Sequence, residues 1–162
     1  MIGFVAEIIG TNTGLLFGQY GYGNVLGIKM NNVPLIVGIN WFVIIFCCGI
    51  TIHTLLVKAI RHISVVTASP PMSIKALSLI IDGATIAVFF DWLMEPVAIK
   101  LGYWKWAAGK DIPMYNYISW LVISMTILVI FQFCKFNKHN KFAVNLLLIQ
   151  GMFFLILRTF LP

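Results

Sequence analysis

The feature that most constrains this chain is an apolar run over residues 35–57 that contains no Asp, Glu, Lys or Arg. A helix needs about 20 predominantly apolar residues to cross a bilayer, so this run predicts a transmembrane helix. Similar runs occur at about residues 74–94, 117–134 and 142–161. The sequence therefore predicts an all-α, polytopic integral membrane helix bundle with four full spans, forming one membrane domain over residues 1–162.

The composition excludes a soluble or a disordered protein. Hydrophobic residues make up 60% of the 162 residues and charged residues only 10%, against about 45–50% and about 25% in soluble domains. The formal net charge of +6 comes from basic residues in the loops between the apolar runs, so we expect contact with membrane lipid and no nucleic-acid partner. The three cysteines lack metal-ligand spacing, and we expect neither a metal site nor a disulfide framework.

The basic residues between the runs predict the orientation of the chain in the cell membrane. Lys, Arg and His are most concentrated in the loops 58–74 and 135–141, and positively charged loops are retained in the cytoplasm. In the connection between the second and third spans, Glu95 and Asp111 offset the lysines. We therefore expect this connection on the opposite, non-cytoplasmic side of the membrane, together with the segment before the first span.

The start of the chain differs from the four spans. Residues 2–9 are apolar apart from Glu7 and predict a partial helix. Residues 14–23 are rich in glycine and aromatic residues, which predicts an interfacial or re-entrant loop with Tyr20 and Tyr22 at headgroup level. A helix rises about 1.5 Å per residue and the hydrocarbon is about 30 Å thick. The first stretch is too short to cross it, so we expect the chain to begin inside a helix of a longer protein.

Two acidic residues at the end of the second span are the strongest candidates for chemistry, because acids in or beside spans are energetically unfavourable and usually functional. Asp91 and Glu95 are four residues apart and share one helix face. Ala84 and Ala87 continue that face as small residues that allow close helix packing. Two neighbouring carboxyl groups in a low dielectric do not both ionise easily, so one would serve as a general acid. An ion pair or a helix-end hydrogen bond is the alternative interpretation.

The predicted topology brings further polar and aromatic residues to the same side of the membrane. Glu7 ends the first stretch, Asn40 and Trp41 open the first span, and Asn116 and Trp120 bracket the start of the third. Aromatic faces stabilise a cation, so an acid beside them could protonate an isolated double bond and stabilise the tertiary carbocation. An aromatic belt at the membrane interface is the alternative explanation for part of this cluster.

These residues belong to three ordered blocks. The blocks are Glu7…Gly10…Thr13-Gly14…Phe17-Gly18-Gln19-Tyr20-Gly21-Tyr22; Asn40-Trp41-Phe42; and Asp91-Trp92-Leu93-Met94-Glu95-Pro96, followed by Gly102-Tyr103-Trp104-Lys105-Trp106 and Asn116…Trp120. Together they resemble the membrane-bound carotenoid hydratase family, of the bisanhydrobacterioruberin hydratase and gamma-carotene hydratase type. The resemblance covers most of the chain, although members of that family have further helices before the glutamate block.

The resemblance implies a role in carotenoid biosynthesis. The implied reaction adds water across the terminal isopropylidene double bond of an acyclic carotenoid end and yields a tertiary alcohol, with no metal and no organic cofactor. The expected partners are a carotenoid substrate in the bilayer and, in addition, other enzymes of carotenoid biosynthesis.

Chemical reasoning distributes the roles within this reaction. Asp91 or Glu95 donates the proton, and the other carboxylate, or Glu7, orients the water that captures the cation. The remaining candidates bind the substrate or hold the carboxylates and the water: Tyr20, Asn40, Trp41, Trp104, Trp106, Asn116 and Trp120.

Three alternative functions remain. A carotenoid cyclase of the lycopene type shares the protonation step but ends the reaction by ring closure. A membrane prenyltransferase would need aspartate-rich motifs for magnesium and diphosphate. Asp91 and Glu95 match such a motif only weakly. A non-enzymatic membrane protein would tolerate alanine at both acids.

Overall fold

The structure is a computed structural model that describes residues 1–63, 70–107 and 111–161. Residues 64–69 of the predicted 58–74 loop lie outside this part of the chain. The described helices are α1 (Ile2–Thr13), α2 (Leu35–Ile63), α3 (Met72–Lys100), α4 (Met114–Phe133) and α5 (Lys141–Phe160). The described strands are β1 (Tyr20–Tyr22), β2 (Lys29–Met30), β3 (Val33–Pro34) and β4 (Trp104–Trp106).

Helices α2 to α5 are the four predicted spans, and each is long and apolar enough to cross a membrane. Helix α1, with 12 residues, is the predicted partial helix. Helices α2 and α3 have 29 residues each and extend beyond the predicted ends at residues 57 and 94. The structure thus confirms an all-α membrane bundle.

The predicted end of the second span at about residue 94 is wrong, because α3 continues through Glu95 and Pro96 to Lys100. A proline inside a helix leaves the carbonyl four residues earlier without its usual N–H donor. That carbonyl belongs to Trp92, and the Arg158 guanidinium of α5 donates a hydrogen bond to it. Arg158 also lies over the Trp92 ring, 3.6 Å from the centroid. The neighbouring helix therefore supplies the donor that proline lacks.

Helix α3 is central: it packs against α2, α4 and α5, while α1 packs against α2 and α4. Its predicted small-residue face is buried at Ala84 and Ala87, and Gly83 beside them is buried as well. A Cβ atom at Gly83 would lie only 2.9 Å from Cδ1 of Leu128 on α4. Small side chains permit this close approach of α3 and α4. Because Asp91 and Glu95 continue the same face of α3, their side chains lie in the interior of the bundle.

The prediction of a plain interfacial or re-entrant loop over residues 14–23 missed a strand. β1 pairs antiparallel with β4, and the partners are Tyr20 with Trp106, Gly21 with Lys105, and Tyr22 with Trp104. Because side chains alternate along a strand, the two tyrosines and the two tryptophans project from the same face of this ribbon. A second antiparallel pair, β2 with β3, leads directly into α2.

The turn after α3 returns the chain towards the bundle. The N–H of Tyr103 donates to the carbonyl of Ala98 at 2.9 Å, and the N–H of Gly102 donates to Ile99 at 3.1 Å. This is a Schellman motif, which requires a left-handed residue at the position of Gly102. Gly102 has φ of 72°, and glycine adopts this conformation without the steric penalty of a Cβ atom.

We expect Gly102→Ala to destabilise the fold by about 1–2 kcal/mol, the penalty of a left-handed conformation for an L-residue. Thermal unfolding of the purified protein in detergent measures the effect. Gly21→Ala is the matched control, since Gly21 has no atom within 4 Å of an added Cβ and no positive φ. Equal midpoints for the two variants would contradict the role assigned to the turn.

Candidate active site

Three carboxyl groups from two helices meet at one cavity inside the bundle. Glu7 of α1 and Asp91 and Glu95 of α3 all line it, and their exposed fractions are 5%, 1% and 3%. The cavity encloses about 40 Å³, which is room for about three water molecules. The other predicted site residues also line it: Tyr20, Asn40, Trp41, Trp104, Trp106, Asn116 and Trp120. The structure therefore brings the predicted site residues together around one cavity.

Glu7 accepts hydrogen bonds from three side chains that come from two other segments. Its Oε2 accepts from the hydroxyl of Tyr20 and from the hydroxyl of Tyr22 at 2.7 Å. Its Oε1 accepts from Nε1 of Trp41 at 2.8 Å. Burial raises the pKa of Glu7, and the three hydrogen bonds only partly oppose this effect. Burial and the nearby Glu7 carboxylate raise the pKa of both tyrosines, which keeps their hydroxyls as donors.

Glu95 is held from the β1–β4 ribbon and from α4. Its Oε2 accepts from Nε1 of Trp104 at 3.0 Å and from Nε1 of Trp106 at 3.2 Å. The Nδ2 group of Asn116 donates to Oδ2 of Asp91 at 3.0 Å and approaches Oε1 of Glu95 at 3.5 Å. Asn116 thus bridges the two carboxyl groups of α3. Among the described residues, it is the one side chain that donates to Asp91.

Among the described residues, the acids of the cavity have no cationic partner. No Lys, Arg or His of the described residues lines it, and Glu7 and Glu95 both lie close enough to Asp91 to interact with it electrostatically. Like charges this close in a buried site do not all ionise. A carboxyl group that keeps its proton in such a group is what general acid catalysis requires.

Aromatic rings form much of the remaining wall of the cavity. Trp41 and Trp120 are stacked, with ring centroids 3.8 Å apart and an interplanar angle of 14°, and both are buried. Tyr20 lies 5.3 Å from Trp106, centroid to centroid. The tryptophans therefore have two capacities here: their faces can stabilise positive charge, and three of their indole N–H groups hold the carboxylates.

The sequence predicts that Asn40 holds the carboxylates or the water. Among the described residues its side chain makes one polar contact, a weak one of 3.8 Å from Nδ2 to the Met94 sulfur. Its amide remains able to bind water or substrate. Tyr20 and Tyr22 were expected at headgroup level, but their hydroxyls point inward to Glu7 because the β1–β4 pairing turns them towards the cavity.

Four residues that line the cavity are absent from the site predicted from the sequence: Phe17, Tyr22, Val37 and Met94. Only Tyr22 carried a usable signal. It alternates with Tyr20 across Gly21, so a strand would place both hydroxyls on one face. Within the described ranges, no three His, Cys, Asp or Glu side chains form a group that could hold a metal ion.

Comparison with known proteins adds one match. A protein-family model described as carotenoid biosynthesis protein matches residues 1–161. No curated protein and no solved structure matches the chain.

We expect the stability contribution of Glu7 to depend on pH. Because the folded chain binds the Glu7 proton more tightly than the unfolded chain, this contribution is largest below about pH 4.5 and is lost as the pH rises through the folded pKa. Glu7→Gln removes it. The wild-type unfolding midpoint minus that of Glu7→Gln should therefore fall from about pH 4 to about pH 8. Asp111→Asn, at an exposed acid, is the control, and an equal slope there would contradict the prediction.

Proposed function

Because the chain belongs to the carotenoid biosynthesis protein family, we propose that it is an acid-catalysed carotenoid hydratase. Membership of this family gives the chain a role in carotenoid biosynthesis. The proposed reaction adds water to the terminal isopropylidene double bond of an acyclic carotenoid end. The observation that carries this proposal is the cavity itself: three buried carboxyl groups face stacked tryptophans, and no basic side chain of the described residues neutralises them.

The hydrogen bonds support a division of roles among the acids. Glu7 and Glu95 each accept bonds from indole or phenol donors, and donors to a carboxylate favour its charged form. Asp91 accepts only from Asn116 among the described residues. We therefore assign Asp91 as the proton donor and Glu95 or Glu7 as the base that orients the water.

The proposed chemistry has two steps. The Asp91 O–H bond breaks and its proton adds to the CH carbon of the double bond, so that a tertiary cation forms at the carbon carrying two methyl groups. A water oxygen then bonds to that cation and releases a proton to Glu95 or Glu7, and proton exchange within the cluster restores Asp91. The faces of Trp41 and Trp120 lower the energy of the cation.

The size of the cavity limits what enters it. A cavity of about 40 Å³ is too small for the polyene, so in the proposed complex the conjugated chain lies in the bilayer. The terminal group enters only where it displaces water and the lining side chains move outward. A polar depression of about 320 Å³, lined by Thr11, Asn12, Gln19 and Lys105, shares Tyr20 with the acid cavity. We propose this side of the cavity as the one from which water enters.

The reaction class is tested by expressing the chain in a host that accumulates lycopene or gamma-carotene and analysing the pigments by mass. A hydratase yields a more polar pigment that is heavier by one water, and its hydroxyl oxygen carries the label of isotopically labelled water. A cyclase would instead yield an isomer of unchanged mass, because the same cation closes onto a neighbouring double bond.

We expect Asp91→Asn and Glu95→Gln each to lower hydration by at least about a hundredfold, the scale of general acid–base catalysis. Both changes keep the side-chain shape and remove the exchangeable acid. Asp82→Asn is the matched control, because Asp82 lies exposed on the same helix and accepts a hydrogen bond from Ser78. Pigment conversion per amount of purified protein is the measurement. If both site variants convert as well as the control, the pair is structural.

A further inference from the structure

At the end of the bundle opposite the acid cavity, α2 and α5 enclose a groove of about 640 Å³. Lys58 and Arg61 of α2 face it from one side. His139, just before α5, and Lys141, the first residue of α5, face it from the other. Lys58 lies 17 positions after Trp41 on the same helix, which at about 1.5 Å per residue places it about 25 Å from the acid cavity. The groove is therefore separate from the candidate active site.

The charges of this groove are not compensated. All five acidic residues lie in the described ranges, and none of them lines the groove. Lys58, Arg61, His139 and Lys141 are exposed, and none makes an ion pair or a side-chain hydrogen bond to another described residue. A concave site with several free cationic groups attracts an anion.

The walls of the groove indicate which anion. Val57 and Val144 line it beside the basic residues, and the neighbouring Leu55 and Leu148 are 53% and 59% exposed. In a membrane-spanning bundle such side chains face lipid. A molecule that fills the groove therefore meets positive charge at one end and an apolar surface at the other.

We propose that this groove binds the headgroup of an anionic phospholipid, with the phosphate between Lys58, Arg61 and Lys141 and the acyl chains along Val57, Val144 and Leu148. Basic pockets between transmembrane helices bind lipid headgroups in this way. The amide of Asn145 supplies an additional hydrogen-bond donor at the rim. The site is independent of the reaction proposed for the acid cavity.

The test titrates the purified full-length protein with phosphatidylglycerol or phosphatidylcholine and counts the bound lipids by native mass spectrometry. We expect phosphatidylglycerol to bind more tightly. Lys58→Gln/Lys141→Gln should weaken it by about 25-fold, since each basic residue near the headgroup contributes about fivefold. Lys58→Arg/Lys141→Arg keeps the charges and should retain binding.

The matched control is Lys75→Gln/Lys135→Gln, which removes the same charge from the same end of the bundle but outside the groove. We expect less than about a twofold change for it. Equal weakening in the two double variants would overturn the proposal in favour of general surface attraction. Equal binding of the two lipids, or displacement of phosphatidylglycerol by inorganic phosphate at comparable concentration, would also overturn it.

Discussion

The hydrogen bonding of three buried carboxyl groups is the constraint on which the arrangement of this molecule depends. A buried polar group without a partner destabilises a protein by about 1–3 kcal/mol, and a charged one by more. Glu7, Asp91 and Glu95 are each 5% exposed or less, so every one of them needs donors from elsewhere in the chain. Three indoles, two phenols and one amide provide them.

Those donors come from segments far apart in the sequence, and the small elements of the fold serve to bring them together. The β1–β4 ribbon presents tyrosines to Glu7 and tryptophans to Glu95 from one face. The turn at Gly102 reverses the chain after α3 so that β4 can reach Glu95. Arg158 supports the same end of α3, because it satisfies the carbonyl that Pro96 leaves free. The geometry of the acid cavity and the stability of α3 thus depend on the same contacts.

The two ends of the bundle differ in chemistry. The acid cavity is small and enclosed by aromatic rings, which suits a neutral apolar group that becomes cationic during a reaction. The groove between α2 and α5 is larger, open and basic, which suits an anion at the membrane surface. The separation by about 25 Å along α2 keeps the free cations of the groove from neutralising the carboxyl groups of the cavity.

The sequence by itself determined the membrane bundle, because apolar runs of this length have no other stable environment, and it determined the shared helix face of Asp91 and Glu95, because helical periodicity is local. It also indicated which ends of the spans carry the polar residues. Only the tertiary structure decided that Tyr20 and Tyr22 point inward, that Trp104 and Trp106 hold Glu95, and that α3 passes through Pro96. Each of these depends on a partner distant in the chain: β4 for the tyrosines and β1 for the tryptophans, and Arg158 for the proline. Local pattern carries no information on such pairings, because their free energy arises only when the distant segments meet.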